Sequence, residues 1–411
     1  MNNLSKILSY STLGTLCAFL IQLISAKILS IQDYGIIAKW LTDLAFLSIF
    51  FVFGLDNSLL YFSRKNNKNY DINFYKNVIF FTILCIIFLF LSILFGKLYY
   101  TLLILSCYIL ALIQTFNSYN HLNENFNKYG LINLSKNLAI FIAFLTIFIL
   151  NLNITYEQYL YYYLLMLAVS FTLVLFISYK PKIKKIKNIE FFDSDYFVYG
   201  SKSMLNTFLA ILLYSVTIYI LDIFLDKKDI AIFFAATVLA KLAWVIPDSV
   251  GNLLYPKFLK IGVNYSRNEV MEETYFYAQL NFLINILSIL IFLSIGRFIV
   301  DKLYGADYAD MFYLVIILLI GNQGMVYYKI LGRYLAAINQ WRVQRLALIF
   351  AVIFNIFFNI ILINKLNLMG AAIATALSFW VCGIIMSFYV KGSFLGFIDI
   401  RFLFRKLLNA K

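Results

Sequence analysis

Apolar stretches of about 20 residues, separated by short polar segments, follow one another along this chain of 411 residues. An α-helix of about 20 residues crosses the roughly 30 Å hydrocarbon core of a bilayer, so each stretch is a candidate membrane span. There are about twelve such windows. They cover residues 7–29, 36–62, 76–96, 98–121, 131–151, 158–179, 199–221, 230–257, 275–297, 311–336, 344–363 and 370–391.

The composition supports spanning helices rather than a soluble fold. Hydrophobic residues make up 63% of the chain and charged residues only 13%, whereas about a quarter of the residues in a soluble protein are charged. Only 3 prolines and 17 glycines interrupt the apolar runs. A membrane β-barrel would instead show short alternating segments between turns. We therefore predict an all-α polytopic membrane protein.

A basic segment, Lys180–Lys187, separates the first six windows from the last six. Loops rich in Lys and Arg stay in the cytoplasm, so this segment predicts that both termini are cytoplasmic. Most of the 34 Lys and Arg residues then fall on the cytoplasmic side. The predicted parts are a six-helix bundle at 1–179, a cytoplasmic linker at 180–198, a second six-helix bundle at 199–391 and a basic cytoplasmic tail at 392–411.

The two halves of the chain resemble each other weakly. Asp33 and Asp229 each precede the second span of their half, and both spans run on to Leu-Leu-Tyr, ending at Tyr61 and Tyr255. Six-span repeats of the same orientation predict two bundles related by an axis along the membrane normal. Such repeats place the substrate between the bundles and work by alternating access.

Residue patterns for enzyme chemistry are missing from the sequence. It contains no nucleophile elbow, phosphate-binding loop or metal-ligand spacing, and its 4 cysteines lie inside apolar runs. Its single histidine, His121, stands at the polar end of a span. We predict no enzymatic activity, no metal and no cofactor, with proton or sodium coupling left open. The basic residues lie between spans rather than on one face, so we expect no nucleic-acid partner.

Charged residues inside the first-half windows are functional candidates, because a charge at mid-membrane costs about 3 kcal/mol on insertion scales. In the second window Lys39 and Asp43 are four residues apart and share a helical face with Asn57, whereas Asp56 is predicted to point away. A neutralised Lys39–Asp43 ion pair is an equally good interpretation. Gln22 lies on a polar face of the first window, where interhelical hydrogen bonding is the alternative role.

Two further polar stripes occur at helical spacing in the second half. The eighth window carries Lys241, Trp244 and Asp248, and the tenth carries Asn322, Lys329 and Arg333. Lys241 lies about halfway across its span, and Asp248 is two turns away at about 10 Å of rise, too far for direct contact. Lys241 is therefore predicted to face another helix or a water-filled cavity. Pro247 interrupts the same span beside Asp248.

The deep charges are mostly cationic, which predicts an anionic substrate, because ammonium groups are point-charge partners for phosphate oxygens. The predicted substrate contacts are Gln22, Lys39, Asp43, Asn57, Lys241, Trp244, Asp248, Asn322, Lys329 and Arg333.

Five fragments in order along the chain resemble the bacterial polysaccharide flippases of the O-antigen (Wzx) type. They are Ala26–Gly35, Phe53–Asn57, Val245–Pro247 with Leu254–Lys257, Leu303–Tyr308 and Asn364–Thr375. This family belongs to the superfamily that also holds multidrug extruders of the MATE type and the lipid II flippases. Twelve spans rather than fourteen distinguish the chain from lipid II flippases, and its cationic interior distinguishes it from MATE exporters.

The resemblance implies a MATE-like fold that moves an undecaprenyl-diphosphate-linked oligosaccharide, such as an O-antigen or capsule repeat unit, from the inner to the outer leaflet. Expected partners are this lipid-linked oligosaccharide, membrane lipids and other polysaccharide assembly proteins, and we expect a monomer. The seventh window does not fit a cationic site shared equally by the two bundles. Its one charged residue is Lys202, near its cytoplasmic end.

Two other functions stay open. An ion-coupled exporter of the MATE type would need a buried carboxylate that titrates, with Asp43 or Asp248 as candidates. A membrane-embedded glycosyltransferase or ligase would need a larger external loop than residues 296–310 provide.

Overall fold

The computed structural model describes residues 3–66, 70–94, 96, 98–123, 126–178, 194–258, 266–338 and 340–391. Its regular elements in this part of the chain are helices. The α-helices are α1 Asn3–Ile28, α2 Ile31–Val52, α3 Leu55–Asn66, α4 Tyr70–Leu94, α5 Leu98–Leu122, α6 Phe126–Ile149, α7 Tyr156–Ile177, α8 Ser194–Phe224, α9 Lys227–Lys241, α10 Val245–Phe258, α11 Arg267–Leu303, α12 Met311–Ala337 and α13 Trp341–Lys391. Short 3-10 turns lie at Leu242–Trp244 and Ala306–Tyr308.

The predicted windows fall on these helices. Among the described residues, 10 helical stretches are long and apolar enough to cross a membrane, and α1 adds the shorter apolar stretch Thr12–Ile28. The last two windows both lie on α13, which is 51 residues long. The prediction of an all-α polytopic membrane protein is confirmed.

Helix α13 is divided by a kink at Asn367, whose backbone is not helical (φ 48°, ψ −130°). Asparagine tolerates positive φ better than most residues do. Just after the kink, a Cβ atom at Gly370 would clash with the backbone carbonyl of Leu362. A straight helix of this length would reach about 77 Å. The kink therefore turns one apolar run into two segments of spanning length.

A left-handed turn at Phe53 and Gly54 separates α2 from α3. The two residues have φ of 49° and 66°, and a Cβ atom at Gly54 would clash with the backbone carbonyl of Gly200 on α8. Glycine is required here both for its backbone conformation and for this close approach. The structure thus differs from the expected continuous face between Lys39 and Asn57, because the turn resets the helical register.

The predicted interruption of the eighth window is present, slightly before the proline. Helix α9 ends at Lys241, a 3-10 turn covers Leu242–Trp244, and α10 begins at Val245. A proline in a helix cannot bond the carbonyl four residues earlier and crowds it. For Pro247 that carbonyl belongs to Ala243, inside the 3-10 turn. The break gives Lys241, Trp244 and Asp248 a different relative orientation from that in a regular helix.

Exposed apolar side chains recur at helical spacing on the outer helices. On α4 they include Ile79, Ile83, Ile86 and Phe90. On α11 they include Leu283, Ile286, Leu287, Leu290, Ile291 and Phe298. Continuous apolar faces of this extent are rare on soluble monomers, and a lipid surface accounts for them.

The packing divides the chain into two compact units, Met1–Ile211 and Leu212–Lys411, so α8 contributes to both. Of the predicted linker, residues 180–193 lie outside the described residues and 194–198 form the start of α8. The predicted tail, 392–411, also lies outside the described residues. The division into two six-helix bundles, a linker and a tail stays a prediction.

Buried polar groups fasten helices to one another within each unit. In the first unit, the side-chain amide of Asn137 donates to the carbonyl of Gly14 at 2.9 Å. In the second unit, the Thr217 hydroxyl on α8 lies 2.9 Å from the Thr375 hydroxyl and donates to Oδ1 of Asn355 at 3.2 Å. Such interhelical hydrogen bonds connect helices where lipid supplies no hydrophobic driving force between them.

Candidate functional site

Four of the predicted site residues meet in the second unit and form the Trp244 cluster, defined as Lys241, Trp244, Asp248 and Lys329. The broken span formed by α9 and α10 supplies the first three, and α12 supplies Lys329. The break at Leu242–Trp244 places the indole ring between the last residue of α9 and the first turn of α10. Helical spacing in the sequence predicted that Lys241, Trp244 and Asp248 lie together. The contact with Lys329 depends on the packing of α12 against this broken span.

The centre of the cluster is an ion pair. The Lys329 ammonium donates to both carboxylate oxygens of Asp248, at 2.8 and 2.7 Å. It also lies 4.5 Å from the centre of the Trp244 ring, within cation–π range. The Lys329 side chain is only 12% exposed, whereas that of Asp248 is 43% exposed. The cation is therefore the more buried partner, and the carboxylate is the more exposed one.

Lys241 approaches the same indole ring. Its ammonium lies 5.7 Å from the centre of the Trp244 ring and 5.9 Å from that of Tyr214 on α8. Of the two predicted alternatives, another helix or a water-filled cavity, this contact shows the first. Tyr214 and Phe379 flank the indole at ring-centre distances of 4.9 and 5.9 Å. Two ammonium groups therefore lie beside the Trp244 ring, which is itself packed between aromatic side chains.

The charges of the Trp244 cluster do not balance, because two lysines share one carboxylate. The indole N–H of Trp244 is buried and has no hydrogen-bond acceptor within the described part of the chain. A buried donor without an acceptor is costly unless a ligand or water supplies one. Surplus positive charge beside a free donor is suited to binding an anion.

The other two predicted residues of the second unit have different surroundings. The side-chain amide of Asn322, which is buried, donates to the carbonyl of Ala240 at 2.8 Å. Asn322 thus holds the end of α9 in place beside Lys241. Arg333 is exposed, and a Cβ atom at Gly251 would lie 3.3 Å from its Cγ, so its stem packs along α10.

Three of the predicted residues of the first unit, Gln22, Asp43 and Asn57, have the following surroundings. Asp43 accepts a hydrogen bond of 2.6 Å from the hydroxyl of Tyr99. The side-chain oxygen of Gln22 is buried without a hydrogen-bond donor among the described residues. Asn57 lies past the turn at Gly54 and donates to the Ser203 hydroxyl at 2.8 Å. The assignment of all ten residues as substrate contacts stays a prediction.

A cavity of about 240 Å³ in the first unit was not predicted from the sequence. Its polar lining residues include Asp56, Asn57, Gln114, Asn133 and Lys136. Asp56 is predicted to point away from the face of Asn57, yet both residues line this cavity, as does Lys136 of α6. The turn at Gly54 brings Asp56 and Asn57 to this cavity. A glycine inside an apolar run was the one sequence signal for that turn.

The chain matches a family model described as polysaccharide biosynthesis protein over residues 24–313. It therefore belongs to the polysaccharide biosynthesis protein family. This family member is also 22% identical over 228 residues to a protein of Haloferax volcanii named as the probable low-salt glycan biosynthesis flippase Agl15. That match covers 56% of the chain and 46% of Agl15, so it spans less than half the length of this relative.

Solved structures show the same fold. This family member is similar to the lipid II flippase MurJ in an inward closed conformation, with a TM-score of 0.72 and 17% identity over 98% of this chain and 90% of that one. It is also similar to a multidrug resistance MATE family transporter of the MOP superfamily in an inward-facing conformation. There the TM-score is 0.70 and the identity 14%, over 96% of this chain and 98% of that one. The expected MATE-like fold is confirmed, and the family match together with Agl15 confirms the resemblance to polysaccharide flippases.

Proposed function

We propose that this protein is a flippase for a lipid-linked glycan. Its substrate is an undecaprenyl-diphosphate-linked oligosaccharide, such as an O-antigen or capsule repeat unit. The protein moves it from the cytoplasmic to the outer leaflet of a bacterial inner membrane by alternating access, with both termini in the cytoplasm. Family membership and the similarity to Agl15, a probable flippase of glycan biosynthesis, support the proposal.

The observation that carries the proposal is the charge of the Trp244 cluster. A diphosphate group is the fixed anionic part of a substrate whose sugars vary. Lys241 and Lys329 offer two ammonium groups around one indole ring, with an unused N–H beside them. Phosphate oxygens accept hydrogen bonds from such donors.

The ion pair gives this binding step a definite mechanism. Asp248 occupies the place of an anion on Lys329 before substrate arrives. A diphosphate with more negative charge replaces it, and the carboxylate, which is 43% exposed, turns toward solvent. Because Lys329 keeps a counter-charge throughout, the exchange avoids the cost of an unpaired buried cation. The proposal requires no bound cofactor and is compatible with proton or sodium coupling.

A transporter of the MATE type is the alternative, because the fold is equally close to that class. The two functions differ in the charge of the cargo. A cation exporter would use the Asp248 carboxylate for its substrate, whereas a lipid-diphosphate flippase uses the lysines.

The test is display of surface polysaccharide in a strain whose chromosomal copy of this gene is deleted. We expect Lys241→Met and the paired variant Asp248→Asn with Lys329→Met to lose display at normal protein levels. The paired variant removes both charges and so leaves none unpaired. Lys365→Met, at an exposed lysine of α13, is the matched control. Normal display with both cluster variants would contradict the proposal, and drug efflux dependent on Asp248 would favour the exporter.

A further inference from the structure

The cavity of the first unit has a lining that the diphosphate site does not use. Its volume is about 240 Å³, and its walls come from α2, α3, α5, α6 and α8. This volume lies just below the range of about 300–1,000 Å³ typical of small-molecule pockets. The cavity is therefore sized for one ring-sized group and not for a whole oligosaccharide.

Part of the polar lining is already engaged within the protein. The Gln114 amide donates to Oδ2 of Asp56 at 3.1 Å, and the Asn57 amide donates to the Ser203 hydroxyl. The side-chain oxygen of Asn133 accepts from the amide of Asn117 at 2.8 Å. These bonds fix the orientation of the side-chain amides of Asn57, Gln114 and Asn133. They therefore define which amide N–H groups and oxygens remain available to a ligand.

The remaining groups form two sets. The Asn133 amide N–H groups are donors, whereas the side-chain oxygens of Asn57 and Gln114 are acceptors. A ligand that both donates and accepts at several points, such as a sugar ring with its hydroxyl groups, can satisfy these groups.

Lys136 adds a requirement for negative charge. Its ammonium makes no ion pair with the residues that the structure describes, although Asp56 lines the same cavity. The carboxylate of Asp56 is instead bonded by Gln114. The Lys136 ammonium therefore lines the cavity without a direct ion pair, and an anionic group of a ligand can supply one.

We infer that the first-unit cavity binds a single carboxylated sugar ring, with Lys136 on the carboxylate and Asn57, Gln114 and Asn133 on the hydroxyl groups. This inference rests on the proposed function, because it assigns the site to a sugar of the transported glycan. It places sugar recognition in the first unit and diphosphate recognition at the Trp244 cluster of the second unit.

The experiment measures binding of free glucuronate and free glucose to the purified full-length protein in detergent by saturation-transfer NMR. We expect glucuronate to bind at least tenfold more tightly than glucose. Lys136→Met and the near-isosteric Asn133→Asp should each weaken glucuronate binding at least tenfold, because the first removes the cation and the second adds a repelling carboxylate. Lys202→Met, at an exposed lysine of α8 outside the lining, is the matched control and should bind as the parent protein does.

Three results would overturn the inference. They are equal binding of glucose and glucuronate, glucuronate binding that both cavity variants retain, and displacement of glucuronate by an equal concentration of inorganic phosphate. The two variants differ in mechanism, so misfolding of one leaves the other as a test.

Inorganic diphosphate, titrated in the same samples, separates this inference from the proposed function. Its binding is expected to depend on Lys241 and Lys329 and to be unchanged in Lys136→Met. If glucuronate binding does not depend on Lys136 but diphosphate binding depends on Lys241 and Lys329, only the sugar site is contradicted. The opposite result contradicts only the diphosphate site of the proposed function.

Discussion

The Lys329 ammonium lies 2.8 and 2.7 Å from the two carboxylate oxygens of Asp248, and the lysine is the more deeply buried of the two. This asymmetry decides how the pair behaves when one partner is removed. A half-exposed carboxylate can be hydrated, whereas a buried ammonium has no other described counter-charge and lies against an indole ring.

Asp248→Asn should therefore destabilise the protein more than Lys329→Met does. We expect a loss of about 3 kcal/mol for Asp248→Asn, because it leaves a buried cation uncompensated. Lys329→Met should cost only about 1 kcal/mol, since the remaining carboxylate is partly solvated. Unfolding in detergent at increasing denaturant concentration measures both values, and the double variant should recover most of the loss. The reverse order of the single variants would contradict this account.

Trp244→Phe should reduce transport and should cost less stability than the same substitution at Trp380. The substitution keeps an aromatic ring beside both lysines and removes the indole N–H, which has no acceptor among the described residues. Removing a donor that the folded protein does not use has little effect on unfolding. We expect a several-fold lower rate of glycan display and a smaller fall in melting temperature than in the control, because the smaller phenyl ring leaves part of the indole volume empty at both sites. Trp380→Phe is the control, because its N–H already donates to the carbonyl of Ile320 at 3.0 Å. There stability should fall by about 1 kcal/mol.

Gly54→Ala should be far more harmful than Gly96→Ala, although the two glycines have similar φ of 66° and 64°. A Cβ atom at Gly96 would meet nothing within 4 Å, whereas one at Gly54 would clash with the Gly200 carbonyl. We expect about 1 kcal/mol of strain at Gly96 from the left-handed backbone alone. Gly54→Ala adds displacement of α3 from α8, so both melting temperature and transport should fall. Equal melting temperatures for the two variants would show that the close approach is unimportant.

Cysteine labelling should place the central basic loop in the cytoplasm. The native cysteines are buried, so a variant with all four replaced by alanine provides a silent background; they are Cys17, Cys85, Cys107 and Cys382. In that background we expect a membrane-impermeant maleimide to label Lys365→Cys in intact cells and Lys182→Cys only after permeabilisation. Labelling of Lys182→Cys in intact cells would invert the proposed orientation.

The spanning helices could be predicted from sequence because membrane insertion depends on a local property, the apolar content of about 20 consecutive residues. All the windows therefore fell on helices, and the break near Pro247 followed from the chemistry of one residue. The helical spacing of Lys241, Trp244 and Asp248 was likewise visible within a single window.

The partners of these charges could not be predicted in the same way. Lys329 is 81 residues from Asp248 along the chain, and their contact depends on how α10 packs against α12. A continuous helix through Phe53 and Gly54 predicts that Asp56 and Asn57 face apart, whereas both line one cavity because the backbone turns left-handed there. Lys136 lies near the start of the predicted window at 131–151, so its place in a cavity could not be read from its position in that window.

Sequence alone was sufficient for the class of protein, the spans and the surplus of positive charge inside them, since each of these depends on residue type and local spacing. Tertiary structure decided which charges neutralise one another and which remain available to a ligand. That distinction depends on distances of a few ångströms between helices, over which the energy of a charge in a membrane changes from a large cost to a stable pair.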